Sequence, residues 1–438
     1  MASSSRPVED PTAATGTYMR RTVDDELDVL CEGLPAVALE GPRAVGKTVT
    51  AMQRATTVYR LENETERLIA AADLDRVVSR DPPVLIDEWQ RLPASWDQVR
   101  QAVDGGAPPG SFLLTGSASG AGLPTHSGAG RIVTLRMRPM SLAERGLCEP
   151  VVSLRELLTG SRPDVQGHCD ARLEDYASEI VASGFPGIRT RPERLSAALL
   201  DSYIDRVVER EFEEFGAVVR KPHLLRRWMA AYAAATSTTA SFEKIRDAAT
   251  GGYGEKPARA TAAPYRDVLE RLWIIDAVPP WLPTRNRIAR LSGPVKHHLA
   301  DPALAARLLG VEASSLLMAA PSDPLVPKEG ALFGALFESL VALSLRTYAQ
   351  AAGARVAHLR TWSGDHEIDL VIERRDGRIV AVEVKLGKTA DDRDVRHLDW
   401  LRGQIGDDLI DAIVVTTGND AYRRADGTGV VPAALLGP

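Results

Sequence analysis

Residues 41–48 read Gly41-Pro42-Arg43-Ala44-Val45-Gly46-Lys47-Thr48, a full match to G-x-x-x-x-G-K-S/T. The octapeptide follows the apolar run Pro35-Ala36-Val37-Ala38-Leu39 and precedes a helix-compatible stretch at 49–55. A strand, a glycine-bearing loop and a helix must therefore follow one another within about twenty residues. Gly41 and Gly46 allow backbone angles that turn successive N–H groups inward, and the helix beginning near Lys47 adds the positive end of its dipole. Such a cradle suits a nucleoside triphosphate, ATP in the first instance. The loop from Gly41 to Thr48, with Val49, is the expected binding set. Lys47 would reach the β- and γ-phosphates, and the Thr48 hydroxyl would complete the shell of a Mg2+ ion. The plainer alternative is a glycine turn that happens to precede a helix.

About forty residues on, Val84-Leu85-Ile86-Asp87-Glu88 has the form of a buried parallel strand ending in two carboxylates. Adjacent acids at a strand tip point in different directions, so they can hold different jobs. Asp87 would orient magnesium through its water shell, and Glu88 would polarise the attacking water. Read alone, an acidic pair after a strand is also an ordinary turn. A further apolar run at 111–114 ends in Thr115-Gly116-Ser117, whose hydroxyls are candidates to touch the γ-phosphate or the water. Strand-like segments at 36–40, 57–61, 84–86, 112–114 and 132–135 alternate with helical ones, the pattern of a doubly wound parallel sheet spanning 18–150. Residues 118–130, dense in Gly, Ser and Ala, read as a mobile loop beside the site. Arg131 after it is a candidate finger or sensor for the γ-phosphate, in its own subunit or a neighbour's, or simply a surface arginine. Arg43 has the same ambiguity and ranks lower, because variable loop positions are usually solvated.

With 438 residues the chain is too long for one ordinary core, and 44% hydrophobic against 26% charged residues describes a globular protein of two or three domains. The apolar runs fall short of a membrane span, so no membrane partner is expected. Residues 1–17 are rich in Ser, Pro, Thr and Ala without an apolar core and read as a disordered tail. Cys31, Cys148 and Cys169 form no C-x-x-C pair, which argues against disulfides and zinc and for a cytoplasmic location.

A formal net charge of −6 confines any DNA contact to a local patch. One exists. Residues 151–235 carry helical periodicity, with the mixed charges of 203–210 expected on a solvated face. At 236–320 a short helix, a glycine turn, a second helix, an extended run at 274–278 and a basic hairpin-like run at 284–290 follow in the order of a winged helix. Between Lys256 and Lys296 stand eight basic residues against three acids. Arg259 and Arg266 would project from the recognition helix, with Arg285, Arg287 and Arg290 on the wing. The alternative is a winged helix packed against the first domain with its charges solvated.

The last block, 325–438, holds a second constellation. Glu338 sits in an apolar helical stretch, and Glu367-Ile368-Asp369-Leu370-Val371-Ile372 is joined through the turn Asp376-Gly377-Arg378 to Ile379-Val380-Ala381-Val382-Glu383-Val384-Lys385. That is an antiparallel hairpin. Glu383 and Lys385, two apart, face one side of the sheet, where Asp369 can converge with them. Asp369 and Glu383 would hold a hard divalent cation, Glu338 would add an oxygen, and Lys385 would steady an attacking hydroxide. The competing account is a buried salt bridge. His366 reads as a loop residue.

In this order the phosphate loop, Ile86-Asp87-Glu88-Trp89-Gln90, Leu114-Thr115-Gly116-Ser117, Ala129-Gly130-Arg131, Gly184-Phe185-Pro186, Glu367-Ile368-Asp369 and Glu383-Val384-Lys385 resemble the prokaryotic AAA-type ATPases that carry a winged helix and a restriction-endonuclease-like domain of PD-(D/E)XK type. One departure is Met140 after Pro139, where the family usually has leucine. The resemblance implies an α/β fold class: a P-loop parallel-sheet ATPase domain, a helical and winged-helix middle, and a C-terminal α/β nuclease-like domain. It implies ATP binding by Gly41, Gly46, Lys47 and Thr48, hydrolysis through Asp87 and Glu88, and a nuclease-like site at Glu338, Asp369, Glu383 and Lys385. The function expected is ATP hydrolysis that repositions the other domains on DNA. A switch acting on a protein partner and an ATP-gated nuclease are the rivals. Ring assembly is plausible for the superfamily and would set Arg131 near a neighbour's nucleotide.

Overall fold

The computed structural model describes residues 18–117, 128–212, 221–249, 259–284, 293–318 and 329–438. The N-terminal tail, the loop at 118–127, Lys256 and the wing arginines Arg285, Arg287 and Arg290 lie outside the described residues.

Strands β1 (Ala36–Glu40), β2 (Thr57–Arg60), β3 (Val84–Asp87), β4 (Phe112–Gly116) and β5 (Val133–Arg136) form one sheet in the order β2-β3-β4-β1-β5, with every pair parallel. Its three central strands are covered on both faces: Val37, Leu39, Leu85, Ile86, Leu113 and Leu114 are essentially inaccessible, as a doubly covered parallel sheet requires. Parallel pairing brings the carboxyl ends of β1, β4 and β3 to one edge, where the segments after Glu40, Thr115 and Asp87 meet. β5 starts with Val133 opposite Val37. Arg131 therefore stands at the amino edge of the sheet, opposite the phosphate loop.

A second sheet combines both chain halves. The remaining strands are β6 (Val152–Ser153), β7 (Gly167–His168), β8 (Arg355–Arg360), β9 (Glu367–Glu373), β10 (Ile379–Val384), β11 (Leu409–Thr416), β12 (Asp420–Arg423), β13 (Gly429–Pro432) and β14 (Leu436–Gly437). Seven of them run in the order β7-β12-β13-β11-β10-β9-β8, while β6 pairs separately with β14. The hairpin read from the sequence is β9–β10, paired Val382 to Leu370 and Val380 to Ile372. β10 continues in parallel to β11 after the helix Asp392–Ile405. The segment expected to open a helical block at 151 instead supplies β6 and β7 to the C-terminal half. Two-residue strands carry no periodicity, so no sequence pattern marks them.

Between the sheets lie the helices Leu173–Ala182, Glu193–Arg206, Pro222–Ala234, Phe242–Ala248 and Arg259–Arg271. After the last, Ile275 pairs with Leu299 and Val278 with Lys296 in antiparallel sense. The extended run at 274–278 is where it was expected. Its partner is 296–299, beyond the basic run at 284–290.

The 23-residue helix Glu329–Ala351 is the central strut. Against the expectation from the apolar runs, residues 331–351 are long and apolar enough to cross a membrane, yet 61% of the apolar window is buried inside the molecule. Leu336, Phe337, Leu340 and Leu345 are inaccessible, and Phe337 meets Tyr176 edge-on. Its Ser344 and Tyr348 hydroxyls accept hydrogen bonds from the Leu142 and Ala143 N–H groups at 2.9 and 3.0 Å. These are the free amides of the short helix Leu142–Arg145.

Candidate functional site

The loop after β1 is shaped by steric necessity. A Cβ on Gly41 would stand 2.1 Å from the Met137 carbonyl oxygen, and Gly46 has φ of +109° at the start of the helix Lys47–Met52. Ala44 is also left-handed, at φ +63°. Lys47 is buried, and its ammonium donates to the Gly41 and Pro42 carbonyls at 2.9 Å each. Burial pulls its pKa down to about 8, against the opposing pull of Glu88 and Asp87. Arg21, which nothing in the sequence singles out, braces the loop: its guanidinium donates to the Val45 carbonyl at 3.1 Å and pairs with buried Glu144 at 3.0 Å.

At the tip of β3 the Thr48 hydroxyl donates to Asp87 at 2.7 Å, and the Thr115 hydroxyl donates to the same carboxylate oxygen. A hydroxyl and a carboxylate in contact beside the lysine fit a magnesium ion that takes its remaining ligands from water and phosphate. Glu88 is left-handed, with φ of +56° and ψ of +48°, a conformation that costs a non-glycine residue about 1 kcal/mol. Its carboxylate accepts from the Gln90 amide and, at 3.3 Å, from the Ser117 hydroxyl. Asp87 and Glu88 thus have different partners: β3 ends at Asp87, and the left-handed turn at Glu88 rather than strand alternation aims the second carboxylate.

Arg43 is only partly solvated, with 22% of its side chain exposed. It pairs at 3.2 Å with buried Glu211, in the π-helical turn Val207–Glu211 that continues Glu193–Arg206. The Tyr203 hydroxyl reaches the Arg43 carbonyl at 3.5 Å. Along 203–210 the charged Arg206, Glu209 and Arg210 are exposed, as expected of a solvated face, while the apolar seam of Ile204, Val207 and Val208 is buried. Arg131 pairs with Asp104 at 2.8 Å, half exposed. Strand geometry separates it from its own phosphate loop, which leaves a role toward a neighbouring copy or that of a surface arginine.

The structure brings Glu338, Asp369, Glu383 and Lys385 together, with two members the sequence did not assign to the site, Glu367 and Lys296. Glu338 comes from the long helix, Glu367 and Asp369 from β9, Glu383 from β10 and Lys385 from just beyond it. Lys385 pairs with Glu383 at 2.8 Å, and Asp369 accepts from the Val384 N–H at 2.9 Å. Lys296, counted above in the basic patch, is fully buried here. Its ammonium lies 3.0 Å from Glu338, 3.1 Å from Asp369 and 3.4 Å from Glu367. Burial and the charge of Asp369 push Glu338 up to about 8 and Glu383 well above the usual range. Burial works on Asp369 in the same sense, but Lys296 and Lys385 outweigh it and hold that carboxyl low.

Among the described residues no three His, Cys, Asp or Glu side chains are arranged to hold a metal ion. With an ammonium between Glu338 and Asp369, the cluster as it stands does not fit the expected cation. His366 immediately precedes β9 and stacks on Trp400, with centroids 4.0 Å apart. In the basic run, Arg266 pairs with Asp267 at 2.8 Å and lies over the Phe242 ring, and Arg259 opens the helix Arg259–Arg271. The local positive excess is smaller than its composition suggests, because Lys296 is withdrawn from it.

Residues 34–146 match the family model described as AAA domain. Residues 173–315 and 333–436 match two models described as domains of unknown function (DUF8612 and DUF4143). The chain is 26% identical over 392 residues to the uncharacterized proteins Mb2031c of Mycobacterium bovis and Rv2008c of Mycobacterium tuberculosis, covering 87% of this chain and 78% of each relative. Among solved structures, the Walker-type ATPase PABY2304 of Pyrococcus abyssi aligns with a TM-score of 0.37 at 16% identity, over 65% of this chain and 94% of that one. The AAA match and the loop-and-carboxylate geometry at the sheet edge agree on an AAA-like P-loop domain over residues 34–146.

Proposed function

We propose that the chain binds ATP with magnesium at Gly41–Thr48 and hydrolyses it, using the nucleotide state to reposition its middle and C-terminal segments. The observation that carries this reading is the contact of Thr48 and Thr115 with Asp87 beside Lys47, with Glu88 held separately by Gln90 and Ser117. Lys47 would exchange its two carbonyl contacts for phosphate oxygens, and Thr48 and Asp87 would hold the magnesium. The ion would neutralise charge on the phosphates. Glu88 is positioned to take a proton from a water. For repositioning, the support is that Arg43 of the loop is gripped by Glu211 of the helical segment. DNA is the proposed object of this movement, through Arg259, Arg266, Arg285, Arg287 and Arg290. DNA cutting is not part of the proposal, because Lys296 sits within the carboxylate cluster. A ring of copies is the arrangement in which Arg131 would reach a nucleotide.

The test is ATP turnover by the full chain, with and without duplex and single-stranded DNA at low salt. Lys47→Ala is expected to lose ATP binding. Glu88→Gln is expected to retain binding while turnover falls about 10²- to 10⁴-fold, the range for removing a general base. Tight ATP binding by Lys47→Ala would overturn the site. A turnover rate indifferent to every nucleic acid would remove DNA and leave the switch acting on a protein.

A further inference from the structure

Lys296 stands on the short ribbon that follows the helix Arg259–Arg271, bonded to Val278 in both directions at 2.9 Å. From there it enters a cluster built by other elements. Besides the three carboxylates, its ammonium also meets the Asp369 carbonyl at 3.5 Å. Four carboxylates, Glu338, Glu367, Asp369 and Glu383, thus share two lysines, Lys296 and Lys385, within one largely buried site. One oxygen of buried Glu383, Oε1, has no hydrogen-bond partner among the described residues, which is costly for a group away from water. A cage of carboxylate oxygens around a buried ammonium, with one acceptor unused, is a cation site, and here the cation is covalently part of the chain.

We propose that Lys296 is a tethered substitute for a divalent metal: Glu338, Asp369 and Glu383 bind a divalent cation only when the Lys296 ammonium is absent from between them. Lys296 lies 3.0–3.5 Å from its oxygens, whereas magnesium needs oxygens at about 2.0–2.1 Å, so the two occupants demand different arrangements of the same carboxylates. Removal of the lysine lets the acids close in, and Glu383 gains a ligand role for its idle oxygen. The ribbon that would carry Lys296 away is tied to the first sheet. Asp276 on its first arm donates its N–H to His298 at 2.9 Å and pairs with Arg136 and Arg138 at 3.1 and 3.0 Å, on either side of Met137, whose carbonyl presses on Gly41.

The experiment uses the nucleotide-free full chain, so its outcome does not depend on ATP hydrolysis. Mn2+ binding is followed by the EPR signal of the free ion, alongside thermal melting. Lys296→Met is expected to gain one Mn2+ per chain, bound at least tenfold tighter than any Mn2+ on the wild type. The gain should vanish in Lys296→Met/Asp369→Asn. Mn2+ should raise the melting temperature of Lys296→Met and leave that of the wild type unchanged. If Lys296→Met folds only when Mn2+ is present, the substitution of metal for lysine is supported directly. Equal Mn2+ binding by wild type and Lys296→Met overturns the proposal. So does a Lys296→Met chain, folded or not, that gains neither a bound ion nor stability from Mn2+, since Lys296 is then only a structural ion pair.

Discussion

Single residues at the phosphate loop are constrained by atoms far away in sequence. Gly41 is demanded by Met137: the missing Cβ leaves space that a backbone carbonyl already uses, at 2.1 Å from where that carbon would be. Backbone cannot rotate aside like a long side chain, so Gly41→Ala must move β5 or the loop. Overpacking of this kind costs about 1–3 kcal/mol. Gly41→Ala is therefore expected to melt several degrees lower and to bind ATP at least tenfold more weakly, measured by calorimetry and nucleotide titration. A variant with wild-type affinity would show that the loop does not need its contact with Met137.

At the level of elements, the helix Glu193–Arg206 and its π-helical continuation form a clamp on the loop. π-Helical turns are rare and concentrate at functional sites. This one points Glu211 at Arg43. Removing one member of a buried ion pair costs about 3–5 kcal/mol, because the other charge stays buried. A bound triphosphate would give Arg43 an alternative anion. Glu211→Gln is expected to lower the melting temperature of the nucleotide-free chain by more than that of the chain saturated with a non-hydrolysable ATP analogue and magnesium. Equal losses in the two states would mean that Arg43 and Glu211 do not respond to nucleotide.

Across the whole molecule, one carboxylate joins three segments. Asp276, at the ribbon, meets Arg136 and Arg138 from the first sheet and Arg346 from the long helix at 2.7 Å. Burial would raise its pKa, but the three guanidinium groups outweigh it and hold the carboxyl well below its ordinary range. Burial also pulls Arg136 down to about 9 and Arg346 to about 10, and the crowded cations add to the effect. A carboxyl whose pKa is lower in the folded than in the unfolded chain stabilises the fold above the unfolded value, near 3.9, and that contribution fades as pH falls. Asp276→Asn is expected to cost about 3–5 kcal/mol at pH 7. The gap between wild-type and variant melting temperatures should hold from pH 7 to about pH 4 and narrow progressively as the pH is lowered further toward about 2. A gap that stays constant would assign the loss to packing.

The sequence by itself determined what is local: the glycine loop between a strand and a helix, the acid ending the strand before Glu88, and the hairpin alternation that gathers Asp369, Glu383 and Lys385. Each follows from spacing along one or two adjoining elements, where backbone periodicity dictates direction. Only the tertiary structure decided that Arg131 lies at the wrong edge of its own sheet, that Glu211 holds Arg43, that Asp276 collects three arginines and that Lys296 lies buried among acids. Residues 152–168 join a sheet whose other strands begin some two hundred positions later. The physical reason is common to all of these. A charged side chain has the same letter whether it is solvated or buried against a partner, and the partner comes near only when the chain has folded.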